Sequence, residues 1–408
     1  MDPITHGITG ALLGKAYFGG RDRTENGRVA IFAVTLGSVF PDVDVFAEFF
    51  ARDPLAIARL HRGFTHSFFG LPLFAAALAW PTWWLTRWWC RRRGRDCPSA
   101  GFLFLAYAVG IASHILLDAM TTFGTRIWNP FSSERAAWDL LFIIDFSFTA
   151  VVLLPQVAAW VHRERAGQTR RALGMWVLLS LLALGAWEAA RAAGFPFTPM
   201  VVAAAILVFA LLFFLPAWSD WGVRMRRSSW CRAGVAATLI YIAACGVAHH
   251  AALARVQAFA AANHLAVERI GALPIPPSVL DWGGLIRTTD GVYQSQFDLR
   301  DAQPPAFQFL PDSPPNRYIA DARALPDVGT YLWFARFPTI RYAQLGDRNI
   351  VDFSDWRFFS RSNQRPMPFT FRVILDSDGR LLEEGWVGAR RYLRRDGNLP
   401  PLPQTDSP

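Results

Sequence analysis

Ser67–Trp89, Gly101–Ala119, Ala172–Ala190 and Pro199–Trp218 are nearly uninterrupted apolar runs. About 20 such residues cross a bilayer as a helix. Backbone that enters hydrocarbon must satisfy its own hydrogen bonds, so these runs are expected to fold as helices. Ile4–Phe18, Val29–Phe40, Trp138–Val161 and Ala233–Leu253 complete the series. The first two are short. At about 1.5 Å per residue they cover only about 18–23 Å and read as partial spans packed on the others. The pattern predicts a mainly α membrane protein, a multi-helix transmembrane bundle of about eight apolar helices. The start, "MDPITHGITGALLG", lacks the basic stretch and small-residue cleavage site of a signal peptide and reads as retained.

The net charge of +9 is carried by arginine, since Lys15 is the only lysine. A basic chain can signal nucleic acid, but here the arginines sit in short clusters between apolar runs, so no nucleic-acid partner is expected. The clusters are Arg21/Arg23/Arg28, Arg87–Arg95, Arg163/Arg165/Arg170/Arg171 and Arg224/Arg226/Arg227/Arg232, each following an odd-numbered segment. The positive-inside rule then puts these loops in the cytoplasm and both termini outside. His6, Asp42, Asp44, His61, His66, His114, Asp118 and Asp139 are thereby gathered at the outer ends of their segments. The four cysteines, Cys90, Cys97, Cys231 and Cys245, form no CxxC and argue against a disulfide framework.

After Gly271 the composition changes. "LPIPPS" is a proline-rich boundary. Alternating aromatic and polar stretches follow, with a hairpin expected around Asp376–Gly379. The reading divides the chain into a membrane-embedded metal-site domain (1–165), additional transmembrane helices (166–270), a small α+β or mainly β extracytoplasmic domain (271–395) and a disordered tail (396–408).

The polar residues carry the chemistry. In "SHILLDAMTTFG", His114 and Asp118 are four apart and share a helix face. Ionisable residues in a membrane normally point to a bundle interior or a cavity. In "HRGFTH", His61 and His66 are five apart and would diverge by about 140° on a continuous helix, but Gly63 permits a bend that lets them converge. In "FPDVDVF", Pro41 disfavours a regular helix, and an extended piece would turn Asp42 and Asp44 to one side. Two such carboxylates repel unless a cation or proton lies between them. Each motif alone also has a structural reading: a His–Asp hydrogen bond, surface histidines, a solvated acidic turn. Together they supply imidazole and carboxylate ligands without thiolate, a set that suits Zn, Mn or Fe(II). A divalent metal is expected, Zn or Mn, as one or two ions.

The ordered set "DPITHGITGALLG", "PDVDVF", "HRGFTHS", "SHILLDAMTTFGTRIWNPFS" and "WDLLFIIDFSF" resembles the YdjM-type inner-membrane family, strongly over residues 1–160. That resemblance implies a bacterial inner-membrane protein that acts as a metal-dependent hydrolase. It marks His6, Asp44, His61, His66, His114 and Asp118 as metal-site positions and supplies no substrate class. Asp42 or Asp139 is expected as general base or as orienter of a ligating imidazole. Arg62, and more weakly Arg126, is a candidate fork for a phosphate or carboxylate. Trp128 and Trp138 read as interfacial anchors that could also meet the acyl part of a substrate. Asp145, two turns into its expected helix, needs a partner. The expected partners are the lipid bilayer and an amphiphilic or phosphoester substrate. A transporter with an ion site, or a structural protein with a stabilising metal, remains the alternative.

Overall fold

A computed structural model describes residues 1–18, 25–51, 53, 55–192, 198–275, 279–358, 367 and 369–387. The expected tail, 396–408, lies outside the described residues, as do Arg21 and Arg23. The helices run α1 (Pro3–Leu13, extended by a π-helical turn Gly14–Phe18), α2 (Glu25–Gly37), α3 (Asp44–Phe50), α4 (Ala56–Arg59), α5 (Gly70–Arg93), α6 (Ala100–Ala119), α7 (Phe146–Val161), α8 (Gln168–Ala192), α9 (Pro199–Trp218), α10 (Trp221–Arg224) and α11 (Arg227–Ala262). Four of these, α6, α8, α9 and α11, are long and apolar enough to cross a membrane. The number is up to six if each of two bent helix pairs counts as one span. α7 is apolar but shorter, because Trp138–Ile144 is not helical.

The breaks in the two bent pairs position the polar residues. α2 ends at Gly37 and the chain turns by 52° into a 3₁₀ turn, Phe40–Val43, and then α3. Pro41 sits in the first turn of that 3₁₀ segment, where a missing N–H costs nothing. The second pair bends by 70° between a 3₁₀ turn, Phe64–His66, and α5. One break carries Asp42 and Asp44, the other His61 and His66. Asp42 and Asp44 therefore lie on helical rather than extended backbone, on successive turns of a broken helix.

α2 and α6 cross very closely. A Cβ at Gly110 would lie 2.3 Å from the Val34 carbonyl oxygen, and one at Gly37 would lie 2.7 Å from that of Tyr107. Only glycine permits this approach, which brings the end of α2 against His114 on α6. Two apolar cores result. One gathers Leu12, Phe148, Val152, Phe213 and Trp230 from α1, α7, α9 and α11. The other gathers Val34, Ala75, Leu103, Tyr107 and Ile111 from α2, α5 and α6. α1 and α6 touch between them.

Trp138–Ile144 was expected to start the α7 helix. Instead it runs beside the end of α6, where Trp138 and Leu140 donate their N–H groups to the carbonyls of Ala119 and Met120. These bonds satisfy helix-terminal carbonyls that would otherwise lack partners. Asp145 is consequently the N-cap of α7 and not an interior residue. It accepts from Phe148 N at 2.9 Å and from the Tyr241 hydroxyl of α11 at 2.8 Å.

Beyond α11 the chain forms two four-stranded antiparallel sheets. The first is β1 (Val267–Pro274), β2 (Asp281–Thr288), β3 (Gly291–Asp298) and β4 (Gln308–Pro311); the second is β5 (Pro338–Leu345), β6 (Arg348–Asp355), β7 (Thr370–Leu375) and β8 (Leu381–Trp386). α12 (Arg317–Arg323) and α13 (Pro326–Phe334) lie between them in sequence. β7 and β8 form the hairpin expected around Asp376–Gly379, with Gly379 at φ 86°. The sheet region rests on the polar end of the bundle: Phe334 packs with Ala58 and Phe123, and Arg357 donates to the carbonyls of Thr122 and Phe123.

Candidate metal centre

Asp42, His66, His114 and Asp118 converge. His66 Nε2 lies 3.5 Å from Asp42 Oδ1 and 3.4 Å from Asp118 Oδ2. His114 Nε2 lies 3.4 Å from Asp42 Oδ1 and 3.5 Å from Asp118 Oδ2. The two Nε2 atoms are 3.0 Å apart. Both histidines and Asp118 are fully buried, and the Asp42 side chain keeps 11% exposure.

The hydrogen bonds assign the imidazole tautomers. His114 Nδ1 is 2.7 Å from the Ser38 carbonyl oxygen, which can only accept, so Nδ1 carries a proton. His66 Nδ1 faces Thr65 Oγ1 at 2.9 Å and Asp44 Oδ2 at 3.2 Å, and the Thr65 hydroxyl itself donates to Asp44. A proton on His66 Nδ1 satisfies that contact too. Both Nε2 atoms then direct lone pairs at each other and at two carboxylates. That array of acceptors is stable only around a cation or a shared proton.

The spacing fits a metal. Zinc binds nitrogen at about 2.0–2.1 Å, so tetrahedral ligands lie about 3.3 Å apart. The five quoted separations, 3.0–3.5 Å, bracket that value. Asp42 Oδ2 is buried without a hydrogen-bond partner among the described residues, while Asp118 Oδ2 faces the Arg62 guanidinium at 2.9 Å. Ser38 and Asp44 hold the two imidazoles from behind, as outer carbonyls and carboxylates do in histidine metal sites.

The remaining expected residues take distinct places. Asp44 points away from the convergence and accepts from His61 Nδ1 (2.9 Å), Arg62 N (3.0 Å) and Thr65 Oγ1 (2.9 Å). His61 packs edge-on to Phe123. His6 stacks on His114 with ring centroids 3.7 Å apart, and its Nε2 meets Asp118 Oδ1 at 3.1 Å. The Met1 amino group contacts the same oxygen. Arg62 is buried, with Nε 2.9 Å from Asp118 Oδ2 and Nη1 2.8 Å from Thr121 Oγ1. Its φ of 57° lies in the left-handed region, uncommon for a bulky residue and frequent at functional sites. Asp139 is not gathered here: Arg336 of the sheet region holds both its oxygens at 2.8 Å. Arg126 donates to the Arg59 carbonyl.

Sequence reading missed Ser38, Thr65 and Thr121. Thr65 was visible inside "HRGFTH", and Ser38 lies just ahead of "PDVDVF". Nothing local marks their contacts, because Ser38 meets His114 only through the α2–α6 crossing.

A family model, YdjM inner membrane protein, matches residues 1–193. This part of the chain is similar to that family. The matched stretch includes every residue of the convergence and ends before the sheets. No curated protein matches the chain. No solved structure does either.

Proposed function

We propose that this inner-membrane protein is a metal-dependent hydrolase, with Asp42, His66, His114 and Asp118 holding one divalent ion, Zn or Mn. The observation that carries this reading is the 3.0 Å approach of two imidazole Nε2 atoms, that of His114 freed to act as a ligand because its Nδ1 donates to the Ser38 carbonyl. A metal bound there would lower the pKa of a coordinated water toward 7. Asp42 is the member with residual solvent access, and its Oδ2 has no hydrogen bond, which suits it to receive a proton. Arg62 fixes Asp118 in place, and Asp44 fixes His66. His6 and His61 flank the centre and leave room in the reading for a second ion. On the positive-inside rule the basic loops lie in the cytoplasm, and the centre and the sheet region then lie at the outer face. A phosphoester or lipid-like substrate fits that position, beside the exposed aromatics Phe69, Trp128 and Phe131.

A second reading has its own support. Four protein ligands complete a tetrahedron, as in structural zinc sites, whereas catalytic zinc usually keeps three and a water. On that reading the ion stabilises a transporter or a partner-binding protein. Turnover separates the two. Purified protein loaded with Mn or Zn is assayed on aryl phosphomonoesters, phosphodiesters and lipid extracts. The hydrolase reading expects turnover that rises with metal content and that Asp42→Ala abolishes even when added Zn or Mn is raised until the weakened site is filled. Metal-replete protein inactive across the panel favours the structural reading.

A further inference from the structure

A cleft of about 390 Å³ lies between the 123–137 loop and the sheet region, lined by Phe123, Arg135, Arg269, Trp333, Arg336 and Arg357 among others. Two of its four arginines are neutralised, Arg336 by Asp139 and Arg357 by Asp355. Arg135 and Arg269 have no carboxylate within ion-pair distance among the described residues. Arg135 spends its guanidinium on the carbonyls of Gly124, Ala58 and His61, and its Nε is buried with no hydrogen-bond partner. Arg269 is exposed and makes no side-chain hydrogen bond among the described residues. Glu134 is the lining carboxylate left over, and it too is exposed. Arg126 adds a further cation without an acidic partner among the described residues, and both it and Arg135 lie over the Trp333 ring, at 5.8 and 5.3 Å.

Burial, and then the nearby Arg126, Arg357 and Arg62, push the Arg135 guanidinium down to about 9. Cations crowded in this way, with an open cleft beside them, form a site that an anion would stabilise. One ring stands between the cleft and the arginine that contacts Asp118. The Phe123 ring has the Arg62 guanidinium 4.9 Å from its centroid and that of Arg135 at 5.5 Å.

We propose that this cleft binds a phosphate dianion, with Arg135 and Arg269 as its direct cations and Trp333 as its apolar wall. The open guanidinium fork of Arg269 suits the oxygens of such a group, Arg135 adds its charge and the one Nη1 proton its carbonyl bonds leave over, and the arginines without carboxylate partners favour a double over a single negative charge. As the seat of a substrate's phosphate the cleft depends on the hydrolase reading; as a binding site it does not.

The test titrates full-length protein in detergent with inorganic phosphate by calorimetry. Saturable binding is expected. Arg269→Gln, a change at an exposed side chain, weakens it by about tenfold, as loss of one charged hydrogen bond does. Arg135→Gln weakens it at least as much, and Glu134→Gln tightens it. Phosphatidate in mixed micelles displaces phosphate if the source is a lipid headgroup and does not if it is a free phosphate compound. Binding must survive a chelator and the His66→Ala/His114→Ala variant. Loss of binding on chelation would assign the phosphate to the metal and overturn the cleft, as would unchanged affinity in both arginine variants or no binding of either probe. Failure of the turnover panel with phosphate binding intact would sink the hydrolase reading alone.

Discussion

The bundle buries polar groups in two very different ways. Around α7 they are closed by hydrogen bonds between unlike partners. Asp145 accepts from Phe148 N and from Tyr241, while Gln156 accepts from Lys15 at 2.8 Å and donates to the carbonyls of Ile8 and Val152. Donors meet acceptors there, and nothing further is required of the site. Where α6 meets the two broken helices, acceptors face acceptors: two Nε2 atoms and two carboxylates within 4.8 Å, with Asp42 Oδ2 left bare and Asp118 held from its far side by Arg62. Both regions carry an aspartate at the end of an apolar helix. The difference shows that burial of charge marks a functional site only when the protein leaves its hydrogen-bonding incomplete.

Four substitutions should break or sharpen this contrast. The largest effect belongs to Asp118→Ala, which strands the buried Arg62 guanidinium. We expect a loss of about 3–5 kcal/mol, seen as a lower denaturant midpoint in detergent, together with loss of metal. Gly110→Ala comes next. Its methyl group would meet the Val34 carbonyl and force α2 from α6, at about 1–3 kcal/mol by the same measurement, and metal should weaken because Ser38 leaves His114. Asp44→Ala should keep the fold but loosen metal by about 10–100-fold in competition with a chelator. Asp145→Ala is the control from the closed region: loss of its cap should cost about 1 kcal/mol and leave metal affinity unchanged. Equal metal loss from Asp145→Ala and Asp44→Ala would erase the distinction between the two regions.

Much of this arrangement was legible in the sequence, for reasons that differ by residue. His114 and Asp118 share a helix face by spacing alone. Gly63 and Pro41 announced the breaks that let distant segments turn inward. The secondary structure around Asp42 and Asp44 was not legible: two carboxylates at i and i+2 read as extended, whereas a 3₁₀ turn leading into a helix places them on opposite edges of the His66 ring. The α7 boundary was hidden as well, since "WDLLFIIDF" is apolar enough for helix and its bonds to the end of α6 hold its first residues out of one. The tie between Asp139 and Arg336 spans 197 residues, and no local pattern encodes such a partner.

The central claim is that the acceptors at His66, His114, Asp42 and Asp118 surround a metal ion. Plasma mass spectrometry of the full chain purified in detergent, beside the His66→Ala/His114→Ala variant, tests it most directly. The account expects about one Zn or Mn per folded chain and a fall to background in the variant. Folded wild-type protein without metal, unable to take up Zn or Mn on addition, would contradict it.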